Sequence, residues 1–442
     1  MEIQLSDHFE YKKLIRFVLP SIMMMIFTSI YYVVDGFFVS NFVGKRSFAA
    51  VNLIMPVLQI LGALGFMLGS GGSALVAKTL GENKREKAKE IFSMLVYIGI
   101  IVGALLAVIG IVFIKPIAVL LGAEGEMVNL CAIYARIILI SLPAFMLQNM
   151  FQSFLITAEK PKIGLCVTIG AGVTNMVLDA LFMAIFDWGI VGAAVATTIS
   201  QIVGGIVPLI YFARENKSIL RLVKAKFDGR ALLHTTTNGS SEFVTNISMS
   251  IVMALYNWQL LKYAGENGVA AYGVIMYVAF IFVAIFLGYS IGVSPIVGYN
   301  YGASNDNELK NIFKKSMSFI VVAGVALTIV AYALSGPLST VFVGYDEKLL
   351  ELTKHAFKLY AFSFLFCGFG IFGSALFTSL NNGVVSAVIS FLRMFVFQAL
   401  TIIIMPKIWG IEGVWCAIIV AEGISAIVAI GFVVKYKNKY RY

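Results

Sequence analysis

Charge is what this chain lacks. Only 13% of its 442 residues are Asp, Glu, Lys or Arg, while 60% are hydrophobic and the mean hydropathy is +0.91. A soluble domain carries about 25% charged residues, so this sequence cannot cover itself with a polar surface. Histidine is scarce too: His8, His234 and His355 all fall at expected helix ends or loops. There is no HExxH, no GxSxG and no GxxxxGK[ST] phosphate loop, so protease, acyl-transfer and self-energised ATPase chemistry have no residues to work with. The TVGYG filter of a potassium channel is missing as well. The four cysteines (Cys131, Cys166, Cys367, Cys416) form no CxxC pair and stand near no histidine, which argues against metal, haem or disulfide roles. The start, MEIQLSDHFEYKK, is polar and mixed in charge, with no small-residue cleavage site, so no cleavable signal is expected.

What is present is a series of long apolar runs. A helix needs about 20 apolar residues to cross a bilayer, and by that rule twelve spans are expected. They lie near 13–39, 50–76, 91–114, 128–156, 163–186, 190–213, 236–260, 269–297, 316–335, 353–378, 384–405 and 413–434. The runs are unbroken and do not alternate, which excludes a membrane β-barrel. The fold class is therefore an all-α polytopic membrane protein. The net charge of +10 is a topology signal rather than a sign of nucleic-acid binding. Lys and Arg concentrate in alternate loops, notably 78–90, 213–230 and the tail 435–441, the bias of cytoplasmic loops. Twelve spans would place both termini in the cytoplasm, with the chain in the plasma (inner) membrane in contact with lipids.

The chain is also written twice. WGIVG (188–192) recurs as WGIEG (409–413), 221 residues on. The same offset relates Gly71, Ser73 and Gly81 to Gly292, Ser294 and Gly302, and a similar one relates Tyr134-Ala135 to Tyr360-Ala361. Six spans per copy is even, so the copies insert in parallel as pseudo-symmetric six-helix bundles, divided at 1–220 and 221–442. Two such lobes suit a transporter that rocks one against the other.

Against this background, lone acids inside spans are functional candidates, because a charge at the bilayer centre costs at least a few kcal/mol. Asp35 stands alone in IFTSIYYVVDGFFVS (26–40), and Asp179 in the fifth span. Met24, Thr28, Tyr31 and Asp35 share one helix face, and Asn175 lies one turn before Asp179, so its amide can donate to that carboxylate. Two acids in one dry site can load and release a proton, or hold sodium with the oxygen of Asn175. Asp35 or Asp179 could instead pair with Arg136 or Arg393. In the seventh span Glu242, Asn246, Met249, Met253 and Asn257 form a polar, soft stripe, with Glu242 close to a helix start. Pro20 removes one backbone hydrogen bond from the first span and should kink it, making it a candidate hinge. At the 221-residue offset, Asp35 maps onto Tyr256, Asp179 near Leu400, and Glu242 back onto Ser21. The charged chemistry is therefore not expected to be duplicated.

Pro20 with YYVVDGFFVSNFVG (31–44), YARIILISLP (134–143), NMVLD (175–179), WGIVGAAVATTISQ (188–201) and SFLRMFVFQ (390–398) resembles the multidrug and toxic compound extrusion (MATE) family. GSSEFVTNISMS (239–250) is similar to its MepA-like bacterial branch. The resemblance spans essentially the whole chain. It implies a monomeric, non-enzymatic antiporter with no cofactor, exporting lipophilic cationic drugs and dyes in exchange for protons or sodium. Asp35, Tyr31, Asn175, Asp179 and Thr197 match its cation-coupling cluster, and Asp35, Asp179 and Asn175 would be the ligands if the ion is sodium. Glu242, Asn246, Met249, Met253, Asn257 and Thr28 are the candidate drug contacts. Some sodium-driven members carry an acid in the tenth span; this chain has none there, so a second-lobe coupling site of that type is not expected. The alternatives are a flippase for lipid-linked oligosaccharide or cell-wall precursor, which would need a cationic cavity, and a non-transporting scaffold or receptor.

Overall fold

A computed structural model describes residues 3–442, and among these every regular element is helical. The first lobe holds α1 (Tyr11–Phe42), α2 (Lys45–Gly81), α3 (Arg85–Leu120), α4 (Glu126–Ile140), α5 (Leu142–Thr157), α6 (Pro161–Asp179) and α7 (Gly189–Ala213). A π-helical turn, Ala180–Ile185, prolongs α6. The second lobe holds α8 (Gly229–Gly302), α9 (Asp306–Val343), α10 (Glu347–Ala361), α11 (Phe364–Ser379), α12 (Gly383–Phe391) and α13 (Gln398–Tyr440). Here the π-helical turn, Leu392–Phe397, joins α12 to α13.

Eight stretches are long and apolar enough to cross a membrane, and two bent pairs, α4 with α5 and α10 with α11, make ten. The bends are 57° and 50°, at matching places in the two lobes. Two of the ten double back. A straight helix of 74 residues would run about 110 Å, yet the ring of Tyr256 stacks on Tyr272 at 5.0 Å within α8. The reversal falls at Gly265, whose φ of 63° and ψ of −154° suit glycine alone. In α13 the same turn is made at Gly410 (φ 58°, ψ −134°). The result is twelve spans in two pseudo-symmetric bundles, with both described ends of the chain at one face of the molecule, the terminal face. Side chains such as Leu120, Val341 and Ile427 stay largely exposed on the outside, as lipid-facing positions should.

At the terminal face the two lobes meet backbone to backbone. Small residues permit such approach between membrane helices. A Cβ on Gly71 would collide with the Thr235 carbonyl, and one on Gly239 with that of Met67. Further along, Gly81 faces the Tyr299 carbonyl and Gly302 that of Lys78. The N-terminal segment lies across this seam. Its Leu5 amide donates to Glu159 of the first lobe (2.7 Å), and its Phe9 amide to Glu308 of the second (2.9 Å). Leu14, Phe17 and Val18 continue this packing, so the first half of α1 is buried with second-lobe side chains. α1 passes through Pro20 as one continuous helix.

Candidate functional site

Asp35 lies well along α1, away from the terminal face, where the helix leaves the second lobe and joins the first. There it meets Tyr31, Asn175 and Thr197 around a cavity of about 30 Å³, walled also by Gln59 and Gln201. That volume admits a water molecule or a small cation and nothing larger. Asp179 does not line the cavity. It lies behind Asp35, fully buried, with its carboxyl group within hydrogen-bonding reach of Asp35. Both Asp179 oxygens, one Asp35 oxygen and the Asn175 carbonyl oxygen are buried without a donor among the described residues. The physical cause is simple. Two ionised carboxylates have no hydrogen to share, and a single proton placed between them creates the missing bond.

The Asn175 amide lies beside Asp35 rather than beside its own helix neighbour Asp179. Tyr31 and Tyr134 lie close to both acids, and Tyr31 stacks on Tyr32 at 4.5 Å. Behind the cavity wall Ser141, at the bend between α4 and α5, donates to Gln201 (2.7 Å). Sequence reading did not find Gln59, Ser141, Gln201 or Tyr134 as members of this group. Uncharged polar residues are common in spans, and only the packing of α4 against α2 and α7 brings these four together.

Neither arginine considered as a partner for the acids serves them. Arg136 is on the surface and donates to the Ile111 carbonyl (3.3 Å). Arg393 pairs with Glu422 in the second lobe, Nε to Oε2, at 2.9 Å. Beside Glu242, the second-lobe acid that the sequence singled out, the structure adds this buried ion pair. Glu422 lies inside the last span and was overlooked in the sequence despite being as isolated there as Asp35 is in the first.

The seventh-span stripe divides. Met249 and Met253 line a second-lobe cavity of about 170 Å³, together with Tyr272, Tyr360, Arg393 and Glu422. Glu242, Asn246 and Asn257 do not line it. Glu242 sits 13 residues into α8, not near its start, because α8 begins at Gly229. Its carboxylate makes no hydrogen bond or ion pair among the described residues. The Asn246 amide donates to the Glu242 backbone carbonyl (2.8 Å), and the Thr28 hydroxyl to that of Met24 (2.8 Å). Pro20 is buried in α1 and borders a cleft at the terminal face lined by Arg16, Glu159 and Arg214.

The MatE family model matches the chain twice, at residues 20–181 and 243–404. Among curated proteins, the chain is 26% identical to the multidrug export protein MepA of Staphylococcus aureus (strain MRSA252) over 95% of this chain and 92% of that one. It is 25% identical to MepA of Staphylococcus haemolyticus (strain JCSC1435), over 97% and 94%. Among solved structures, it superposes with a TM-score of 0.93, at 23% identity, on an outward-facing conformation of a multidrug resistance MATE family transporter of the MOP superfamily, covering 100% of this chain and 98% of that one. A MOP superfamily transporter from Pyrococcus furiosus Vc1, described as having a binding pocket of reversed polarity, gives 0.91 at 23% identity over 98% of each chain.

Proposed function

This chain belongs to the MatE family, a membrane transporter rather than an enzyme, and from that premise we propose that it is a secondary-active antiporter exporting lipophilic cationic compounds. The observation that carries this reading is the pair Asp35–Asp179, two buried carboxyl groups with one hydrogen bond's worth of missing proton between them. Either a proton or a sodium ion held by oxygens of Asp35, Asp179 and Asn175 would neutralise the pair. Tyr31 and Thr197 complete the wall around the ion.

The two lobes, divided near residue 220, rock about the site as a monomer in the plasma membrane with both termini cytoplasmic. On that orientation the closed terminal face is the inner one, so the conformation described is outward-facing. Cation uptake from outside releases the drug; cation loss to the inside leaves negative charge that attracts the next. Glu242, Asn246 and Asn257 with Thr28 give the drug polar contacts, Met249 and Met253 soft ones. A cation bound equally well in both conformations would drive nothing, so the cycle requires that rocking change the spacing of the two acids. Pro20, whose missing N–H leaves the α1 ladder one bond short, is the hinge for that change.

The test is uptake of a fluorescent lipophilic cation into proteoliposomes, first under an imposed proton gradient and then under a sodium gradient. One gradient should drive accumulation, and Asp35→Asn should abolish it with the protein still incorporated at wild-type level. Undiminished accumulation by Asp35→Asn would remove the coupling role.

A further inference from the structure

The internal repeat ties the two cavities together. At the 221-residue offset Gln201 of the first-lobe cavity maps onto Glu422 of the second, and Asp35 maps onto Tyr256. Tyr256 is buried, its hydroxyl unpartnered among the described residues, and it lies near Glu422. Tyr134, beside the first-lobe acids, corresponds to Tyr360, beside Arg393 and Glu422. Each cavity adjoins the bend of its lobe's fourth span, at Ser141 in one and Ser363 in the other. The second-lobe cavity is thus the twin of the coupling site, but it is larger and carries both signs of charge.

Its chemistry is specific. Arg393 and Glu422 are 12% and 4% exposed, and both line the cavity. A single bond joins them, Nε to Oε2. Among the described residues both terminal amino groups of Arg393 and the Oε1 of Glu422 therefore remain unpaired. Gly370 leaves the room in which the Arg393 stem passes, since a Cβ there would press on Arg393 Cδ. Most of the remaining wall is soft and apolar, with Met249, Met276, Met394 and Phe280, while Thr245, Ser363 and Gln398 add uncharged polar groups.

We propose that this cavity is a second small-molecule site, for a zwitterion whose carboxylate and ammonium stand on the same or adjacent carbons and whose body is apolar. The pair itself is electrically neutral. A plain cation or anion would leave net charge in a dry cavity, which is costly, whereas a zwitterion adds none. Its carboxylate takes the two Arg393 amino groups as a bidentate bond, and its ammonium takes Glu422 Oε1. Because Arg393 and Glu422 touch at 2.9 Å, the ligand's own charges must also be adjacent to close a ring of four alternating charges. A volume of about 170 Å³ lies below the 300–1,000 Å³ of sites for drug-sized ligands. It suits a molecule on the scale of an apolar α-amino acid. The inference does not rest on the aspartate pair, with which the site shares no residue; Met249 and Met253 are common to this cavity and to the proposed drug contacts.

The experiment is calorimetric titration of the purified full chain in nanodiscs with three matched probes. These are phenylalanine (both charges), phenylalaninamide (cation only) and N-acetylphenylalanine (anion only). Phenylalanine should bind at least tenfold more tightly than either singly charged analogue. Glu422→Gln, which keeps the shape, and Arg393→Gln/Glu422→Gln, which leaves no lone buried charge, should each weaken it tenfold or more. Asp35→Asn should bind as the wild type does. Absence of phenylalanine binding, equal binding of an analogue, or undiminished binding by both Glu422 variants overturns the proposal. Loss of transport by Asp35→Asn bears on the antiport reading alone.

Discussion

At Asp35 and Asp179 the lone charge in an apolar run was readable directly, because nothing else in those runs competes for attention. What could not be read was which residues surround them. Asn175, one turn from Asp179, turns its amide to Asp35 on another helix instead. Glu422 shows the opposite failure, a lone acid passed over because its partner, Arg393, is 29 residues away in sequence. The buried pair makes a prediction at this scale. Arg393→Gln alone strands the Glu422 charge, which should cost about 3–5 kcal/mol, whereas Arg393→Gln/Glu422→Gln removes both charges and should regain most of the loss. Thermal unfolding in detergent measures both; a double variant no more stable than the single one would contradict the account.

Among the elements, helix identity and number follow from apolar length, and the two reversals fall between expected spans, 260–269 and 405–413. Gly265 and Gly410 hold conformations with positive φ that side chains resist. Gly265→Ala and Gly410→Ala should each cost about 1–3 kcal/mol, seen as lower unfolding temperatures with transport otherwise retained. The start of α8 depends on Asp228, whose side chain accepts from the Arg230 and Ala231 amides. Its bond to Lys87, helped by those amides, holds its carboxyl below the usual carboxylate range. The linkage sign is that of a depressed acid: the contribution is full above the ordinary value and fades as pH falls through the lowered one. Asp228→Ala should cost about 1 kcal/mol at neutral pH. The gap to wild type should stay constant from pH 8 to 5 and narrow only below about pH 4. A gap that already closes by pH 6 would assign the effect to another group.

For the molecule as a whole, the seam at the terminal face is the feature that can be tested. It closes through reciprocal glycine contacts between α2 and α8, with no room for a side chain. Gly239→Leu should wedge the lobes apart there and shift the population towards the state open at that face. Spin labels placed on α2 and α8 at the terminal face should report longer distances than in wild type, and accumulation of the fluorescent cation should fall. Unchanged distances would mean that this contact does not hold the seam.

By itself, the sequence determined that the chain crosses a membrane twelve times as a duplicated six-helix unit, and that Asp35 and Asp179 are out of place unless used. Both facts are local or periodic: hydropathy is summed along one segment, and a repeat is visible at a fixed offset. Tertiary structure alone decided that Met249 and Met253 face a cavity from which Glu242 is absent, that Arg393 serves Glu422, and that the two acids of the first lobe meet. Those outcomes depend on helix rotation and on contacts between spans far apart in the chain. Hydropathy cannot encode that rotation, because every face of such a helix is apolar.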